Sequence, residues 1–270
     1  MQPKNKLTRY YNLIKRFSNW QAYLLFKVGK KAKIFTFRLR ENAQNGSIQS
    51  DLFQIEVPRS MLPAFKESFF DDIYFRQLPP YTIDKSNPVV VDIGANVGFF
   101  SLYMFSRFPR ARVFAFEPMP YNYRQLQHYR ETYPQFELHA INQAVSDTTE
   151  PLALHTTKTD GYTTMASVFT DPRNQETLSV EATTLPTVVE HYELPQIDFL
   201  KLDCEGSEYA ILYGLPTEQL RKIRAMCVET HRGQQASENT LALCDYLREN
   251  EFALTYLDQG KSGYIWAWQW

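Results

Sequence analysis

Between Pro88 and Ser101 the chain reads PVVVDIGANVGFFS, and this stretch constrains the fold more than any other. Pro88 stops an incoming helix, and Val89, Val90, Val91 and Ile93 form the β-branched run of a strand buried on both faces. Glycines follow at once, so the pattern is strand, tight turn, helix, with the helix starting near Val97. Gly94 and Gly98 let backbone approach a ligand with no Cβ in the way. The helix turns the positive end of its dipole toward whatever binds there. Such a turn suits a nucleotide-like ligand.

Departures from the dinucleotide fingerprint narrow the choice. That fingerprint is G-x-G-x-x-G, whereas Asp92, Gly94, Asn96 and Gly98 spell D-x-G-x-N-x-G. An acid at the strand tip repels a pyrophosphate but pairs with a ligand carrying an amino group and a sulfonium charge. S-adenosylmethionine (SAM) is therefore favoured over NAD. The next apolar run, residues 112 to 117, ends in Glu117, where an acid at a second strand tip can accept ribose hydroxyls.

The whole chain agrees with a globular enzyme. Its 270 residues, 44% hydrophobic and 15% aromatic, can bury one large domain with an appendage. Cys204, Cys227 and Cys244 are odd in number and form no C-x-x-C pair, which favours a reducing, cytoplasmic location over a disulfide framework. No apolar run reaches the roughly 18 residues of a membrane span, and no secretory signal is read.

Charge is unevenly distributed. Residues 1 to 40 hold 11 of the 29 Lys and Arg and no acid, leaving 18 basic against 30 acidic residues, or −12, in the remainder. Tyr10, Leu13, Ile14, Phe17, Trp20, Leu24 and Val28 recur at helical spacing among basic residues. The main expectation is a helix that packs on its own domain or on a second subunit of a homo-oligomer, with its basic face drawn to the acidic body. A peripheral membrane contact through residues 1–31 is the next reading. Nucleic-acid binding is set aside, because the body is acidic and lacks an aromatic-interleaved RNA motif. Alternation over 34–40 and 52–57 around Asn45-Gly46 predicts a hairpin across 33–58. A short helix and a proline-rich link follow. The expected division is therefore a basic helix and accessory hairpin over 1–80 and a catalytic domain over 81–270.

From Pro88 onward strands and helices alternate, predicting a mostly parallel sheet with helices on both faces. Strands are expected at 88–93, 112–117 and 136–142, with helices between. The third strand tip brings Asn142 and Ser146 or Asp147 beside an adenine, unless these residues form a plain polar turn. Residues 148–180 interrupt the alternation with a Thr-rich stretch at 155–165, which suits an acceptor-binding lid or a solvated excursion.

A second cluster, IDFLKLDCEGSE, spans 197–208. Its apolar part ends at Asp203, at the carboxyl edge of the sheet, where open α/β sheets bind ligands. Glu205 and Glu208 follow, and Glu208 suits the start of the next helix. The strand at 225–231 delivers Glu229 and His231 to the same edge. Two functional readings arise: His231 or Asp203 as a general base, or Asp203, Glu229 and His231 as ligands of a divalent ion such as Mg.

These residues carry a resemblance. VVDIGANVGFFS, PheGluPro at 116–118, AlaValSerAsp at 144–147 and above all LysLeuAspCysGluGlySerGlu at 201–208, in that order, resemble the FkbM family of SAM-dependent methyltransferases. The resemblance implies a class I methyltransferase (Rossmann-like) α/β fold, SAM as donor, and O-methylation of a sugar, glycan or secondary-metabolite hydroxyl. It carries the donor site onto Asp92, Gly94, Asn96, Gly98 and Glu117, and marks Asp203, Glu205 and Glu208 as the family signature. His231, Asp203 and Glu205 are then the catalytic candidates. A nicotinamide-dependent oxidoreductase and a catalytically silent SAM-binding adaptor are the alternatives.

Overall fold

The protein is described from a computed structural model covering residues 6–29, 32–40, 51–80, 82–156, 176–204 and 206–270. The chain divides into two compact units, one of residues 1–76 with Leu102–Arg107, the other of residues 77–101 and 108–270.

In the smaller unit, α1 (Lys6–Arg16) and α2 (Trp20–Val28) precede an antiparallel pair, β1 (Ile34–Arg40) and β2 (Asp51–Pro58), and α3 (Leu62–Phe69). Aromatic rings supply its core: Phe37 stacks on Phe65 at 4.4 Å and Phe65 on Phe69 at 4.6 Å, with Phe17 tilted onto Phe37 at 4.8 Å. The single amphipathic helix expected from the spacing is instead two. Asn19 is the cause, because its amide donates to Thr36 O at 2.7 Å while its carbonyl accepts from Arg38 N at 3.1 Å. A side chain bound to the β1 backbone holds the chain in a turn that an uninterrupted helix lacks. The buried face shifts accordingly: Leu13, Phe17, Tyr23 and Phe26 are buried, while Tyr10, Ile14 and Val28 are exposed. Arg9 is ion-paired with Asp71, and Asn12 donates to Phe70 O, so α1 packs within its own unit.

The larger unit begins with β3 (Val89–Ile93), α4 (Phe99–Arg107, whose last six residues belong to the smaller unit), β4 (Arg112–Phe116), α5 (Pro120–Thr132) and β5 (Glu137–Ile141). Short strands β6 (Ala144–Ser146), β7 (Leu152–Thr156), β8 (Glu176–Val180) and β9 (Ala182–Thr184) come next. The chain continues through α6 (Leu185–His191), β10 (Phe199–Leu202), α7 (Glu208–Tyr213), α8 (Thr217–Leu220), β11 (Ala225–His231), α9 (Thr240–Glu249), β12 (Ala253–Asp258) and β13 (Ser262–Trp268).

Seven strands form the central sheet in the order β12-β13-β11-β10-β3-β4-β5. All run parallel except β13, which is antiparallel to both neighbours. This is the class I methyltransferase arrangement, and the strand positions match the expected ones to within a residue or two. β3, β4 and β10 are buried almost throughout because helices cover both faces. The order reverses beside β3, with β4 on one side and β10 on the other. A crevice opens at such a switch point, at the carboxyl ends of the strands.

The C-terminal β12–β13 hairpin was not read from the sequence, yet it completes the sheet and shields β11. At 148–180, the described residues include an antiparallel pair, β7 with β8, while the Thr-rich residues 157–175 lie outside the described set. Leu154 and Val180 of that pair pack on Met119, two residues beyond Glu117. Among the described residues no helix is long and apolar enough to cross a membrane.

Candidate active site

The turn after β3 is built around backbone conformations that few residues adopt. Gly94 and Gly98 have φ of +75° and +82°, and Asn96, of a type that tolerates the left-handed region, has +52°. Both glycines answer to packing inside the chain. A Cβ on Gly94 would sit 1.8 Å from the carbonyl oxygen of Asp203, and one on Gly98 would sit 2.7 Å from Leu126 of α5. The missing Cβ atoms thus admit β10 and α5 to the turn, whereas the sequence pattern alone had pointed to a ligand.

Asp92 also differs from expectation. It is fully buried, accepts a hydrogen bond from Ser101 Oγ at 2.7 Å and lies 3.2 Å from Lys201 Nζ. Lys201, directly opposite Asp92 across the β3–β10 ladder, donates to Gly94 O at 2.7 Å and lies 3.5 Å from Asp203. Burial pushes the Asp92 carboxyl above its ordinary range, with Lys201 and Ser101 opposing the shift. Burial lowers the Lys201 ammonium, but the charges of Asp92 and Asp203 outweigh it and hold the group protonated. Asp92 therefore faces an internal cation, so its charge is matched within the chain rather than by a ligand's amino group. Asp203, its side chain 25% exposed, is the carboxylate at the rim.

Glu117, just beyond β4, is nearly as enclosed. One oxygen accepts from Asn96 N at 2.8 Å, and the other from Met119 N at 2.8 Å and Asn122 Nδ2 at 3.5 Å. Burial raises its carboxyl to about 7, against the lowering effect of the Met119 and Asn96 amides. Asn142, one residue past β5, donates to the carbonyls of Glu117 and Pro118 at 2.8 and 3.0 Å, fixing this loop. Ser146 and Asp147 are placed differently. They stand on or just after β6, which leaves the central sheet to pair with β9. Ser146 donates to Asp147, and the Asp147 Cβ lies 3.7 Å from where a Cβ on Gly214 would be.

At the adjoining strand tips, Glu229 accepts from Tyr264 Oη of β13 at 2.7 Å, and Glu208 accepts from His231 N at 2.7 Å. The proposed metal set is not assembled: among the described residues no group of three or more His, Cys, Asp or Glu side chains converges to hold an ion. The reason is visible in the hydrogen bonds, since Glu229 turns to Tyr264 and His231 to Glu208. Glu205 lies outside the described residues.

Sequence reasoning passed over Lys201 and Tyr264. A lone lysine within the apolar strand FLKL was a legible sign of a buried ion pair, because a buried cation demands a partner. Tyr264 gave no such sign, because its meeting with Glu229 depends on the β11–β13 register.

With this geometry in place, comparison with known proteins is informative. Residues 92–254 match the family model described as the methyltransferase FkbM domain. The chain belongs to the FkbM methyltransferase family. The FkbM match runs from the Asp92 tip into β12 and leaves residues 1–76 of the smaller unit outside. Among relatives, the AMB antimetabolite synthetase AmbE of Pseudomonas aeruginosa is 30% identical over 71% of this chain, which spans only 10% of that protein. Methyltransferase sdnD of Sordaria araneosa is 31% identical over 62% of the chain and 73% of its own length. The hexuronic acid methyltransferase AglP of Haloferax volcanii is 25% identical over 60% and 63%. FkbM membership sets the nicotinamide-dependent reading aside and implies SAM as the donor.

Proposed function

We propose that the chain is a SAM-dependent O-methyltransferase acting on a hydroxyl of a sugar, glycan or secondary metabolite, with His231 as the general base. One observation carries this reading. The Gly94–Gly98 turn, Asp203 and His231 end three consecutive strands, β3, β10 and β11, at the carboxyl edge beside the switch point. The relative named for hexuronic acid methylation supports a sugar acceptor.

The turn and Glu117 fit the donor. A carboxylate has about four acceptor positions, and three donors occupy those of Glu117, the Asn122 contact being long at 3.5 Å. A ribose hydroxyl would take the remaining position, and a second would displace Asn122. Bound SAM supplies an electrophilic methyl on a sulfonium. The chain's part is to hold the acceptor oxygen in line with that methyl, which supplies much of the barrier reduction. His231 accepts the hydroxyl proton as the oxygen–carbon bond forms and the carbon–sulfur bond breaks, leaving the methyl ether and S-adenosylhomocysteine. A placed base of this kind is worth roughly 10² to 10⁴ in rate. Asp203 at the rim orients the acceptor. No step is routed through a metal, since the described donors do not form a site for one.

Calorimetric titration with SAM and with NAD tests the donor: micromolar SAM binding is expected, and NAD binding without SAM binding would sink the reading. Transfer of a labelled methyl group to uronic-acid oligosaccharides, abolished in H231A with SAM affinity kept, tests the base.

Exposed apolar side chains also support a membrane contact by the smaller unit. Leu7, Tyr11, Leu25 and Val28 are exposed among Lys6, Lys15 and Lys27, and Lys27 of α2 lies 5.8 Å from the Tyr10 ring of α1, so both helices share one surface. A basic, apolar face of this kind suits an anionic bilayer. Cosedimentation with phosphatidylglycerol vesicles, lost in L7E/L25E, is the expected result; cosedimentation equal to that with neutral vesicles would refute it.

A further inference from the structure

We propose that Glu208 is a positioning residue that holds His231 as its Nδ1–H tautomer, so that the basic lone pair of the ring is on Nε2. The proposal rests on the reading of His231 as the base and adds the group that sets its proton.

Glu208 begins α7, where an exposed acid would be enough to complement the helix dipole. It is instead completely buried. Burying a carboxylate is costly unless its lone pairs are taken up, and every contact it makes is with a donor. Oε2 accepts from Gly206 N at 2.8 Å, with Cys204 Sγ at 3.8 Å. Oε1 accepts from His231 N at 2.7 Å and stands 3.0 Å from His231 Nδ1. Capping the turn at Gly206 needs only one of these oxygens. The other is committed to the histidine, through both its backbone and its ring.

The consequence follows from donor and acceptor chemistry. An ionised carboxylate only accepts, so the ring nitrogen at 3.0 Å carries the hydrogen, and in the neutral imidazole the other nitrogen holds the lone pair. The next residue reinforces the arrangement, since Tyr209 Oη donates to His231 O at 2.8 Å. His231 is thus held at its amide, carbonyl and Nδ1 by two successive residues of α7, and with the hydrogen on Nδ1 the lone pair of the neutral ring is on Nε2. When Nε2 takes the acceptor's proton, the imidazolium forms against a buried carboxylate that stabilises it. Among the described residues, the neighbouring elements also carry Glu229 on the same strand, Tyr264 opposite Glu229 on β13, and Cys204 and Asp203 after β10. Lys201 offsets part of their charge, since Glu229, Asp203 and Asp92 all act on its ammonium.

Long-range proton–nitrogen NMR of the full chain with labelled histidine reads the tautomer directly. The chain has five histidines, and H231N assigns the signal. Above the titration of the ring, the wild type is expected to show the Nδ1–H form in at least ninefold excess. E208M, which keeps the length but removes both oxygens, is expected to lose that excess, and E208D to restore it. A predominant Nε2–H form in the wild type, or an unchanged excess in E208M, would overturn the proposal. If E208M does not fold, the wild-type spectrum alone decides. SAM titration of the same samples separates the two readings. SAM binding with an Nε2–H ring refutes the Glu208 role alone. An Nδ1–H ring without SAM binding keeps the pairing and refutes the methyltransferase reading.

Discussion

Replacing Lys201 with methionine removes one charge from a site where its partner has nowhere to go. Asp92 is 0% exposed, and Lys201, its side chain 3% exposed, is 3.2 Å away. Without the ammonium, Asp92 keeps Ser101 as its donor while Asp203 adds like charge, and Gly94 O loses the 2.7 Å bond that ties the turn to β10. Breaking a buried pair from one side costs about 3–5 kcal/mol, because an uncompensated charge stays behind. That is a fifth or more of the roughly 5–15 kcal/mol that holds a typical protein folded. For a unit of this size, the melting temperature should fall by about 6–20 °C. The loss should also depend on pH. Asp92 in K201M has its folded pKa raised further above the unfolded value, so stability is lost as pH rises, and the deficit should be larger at pH 8 than at pH 5. D92N in the K201M background should recover most of it. Scanning calorimetry on the four proteins of the cycle, at both pH values, measures each term. A K201M deficit below about 1 kcal/mol, a deficit independent of pH, or D92N adding its own loss to that of K201M would refute the ion-pair account.

Three further outcomes are expected. Glu117 titrates near 7 in the fold against 4.5 unfolded, so the folded state binds its proton more tightly and apo stability should fall by roughly 2–3 kcal/mol between pH 5 and 7.5; E117Q should flatten that slope, as read by denaturant melts across the range. G94A places a Cβ 1.8 Å from a backbone carbonyl at φ +75°, whereas G98A meets the movable end of Leu126 at 2.7 Å; G94A should therefore destabilise more than G98A, by more than about 3 kcal/mol in total, with SAM binding lost. N19A removes the two Asn19 side-chain bonds to β1 and should cost about 1–2 kcal/mol in the smaller unit, seen as faster amide exchange in α1 and β1.

Much of the larger unit was legible because its signals are local. A β-branched run, a glycine, then a helix fixes strand, turn and helix within a dozen residues, and Asp203, Glu229 and His231 fell at strand tips because apolar runs end there. Residues 232–270 gave no comparable signal. The antiparallel β13 and its Tyr264 belong to a pairing that no short window specifies. In the arm, helical spacing was real but misjudged, since a bond from Asn19 to β1 outweighs periodicity.

By itself, then, the sequence determined the alternation of strands and helices from β3 to β5, the strands β10 and β11, the tight turn at Gly94–Gly98 and the acids and histidine at the carboxyl edge, because hydrophobic period and glycine content act over a few residues. Only the tertiary structure decided what those groups face. Lys201 reaches Gly94 across 107 positions of chain, Asp92 takes that lysine's charge, and Glu208 turns inward to His231 instead of outward to solvent. A side chain's partner is set by strand register and by what burial leaves unpaired. Those are properties of the assembled sheet, in which a buried charge must find its complement wherever the fold brings one.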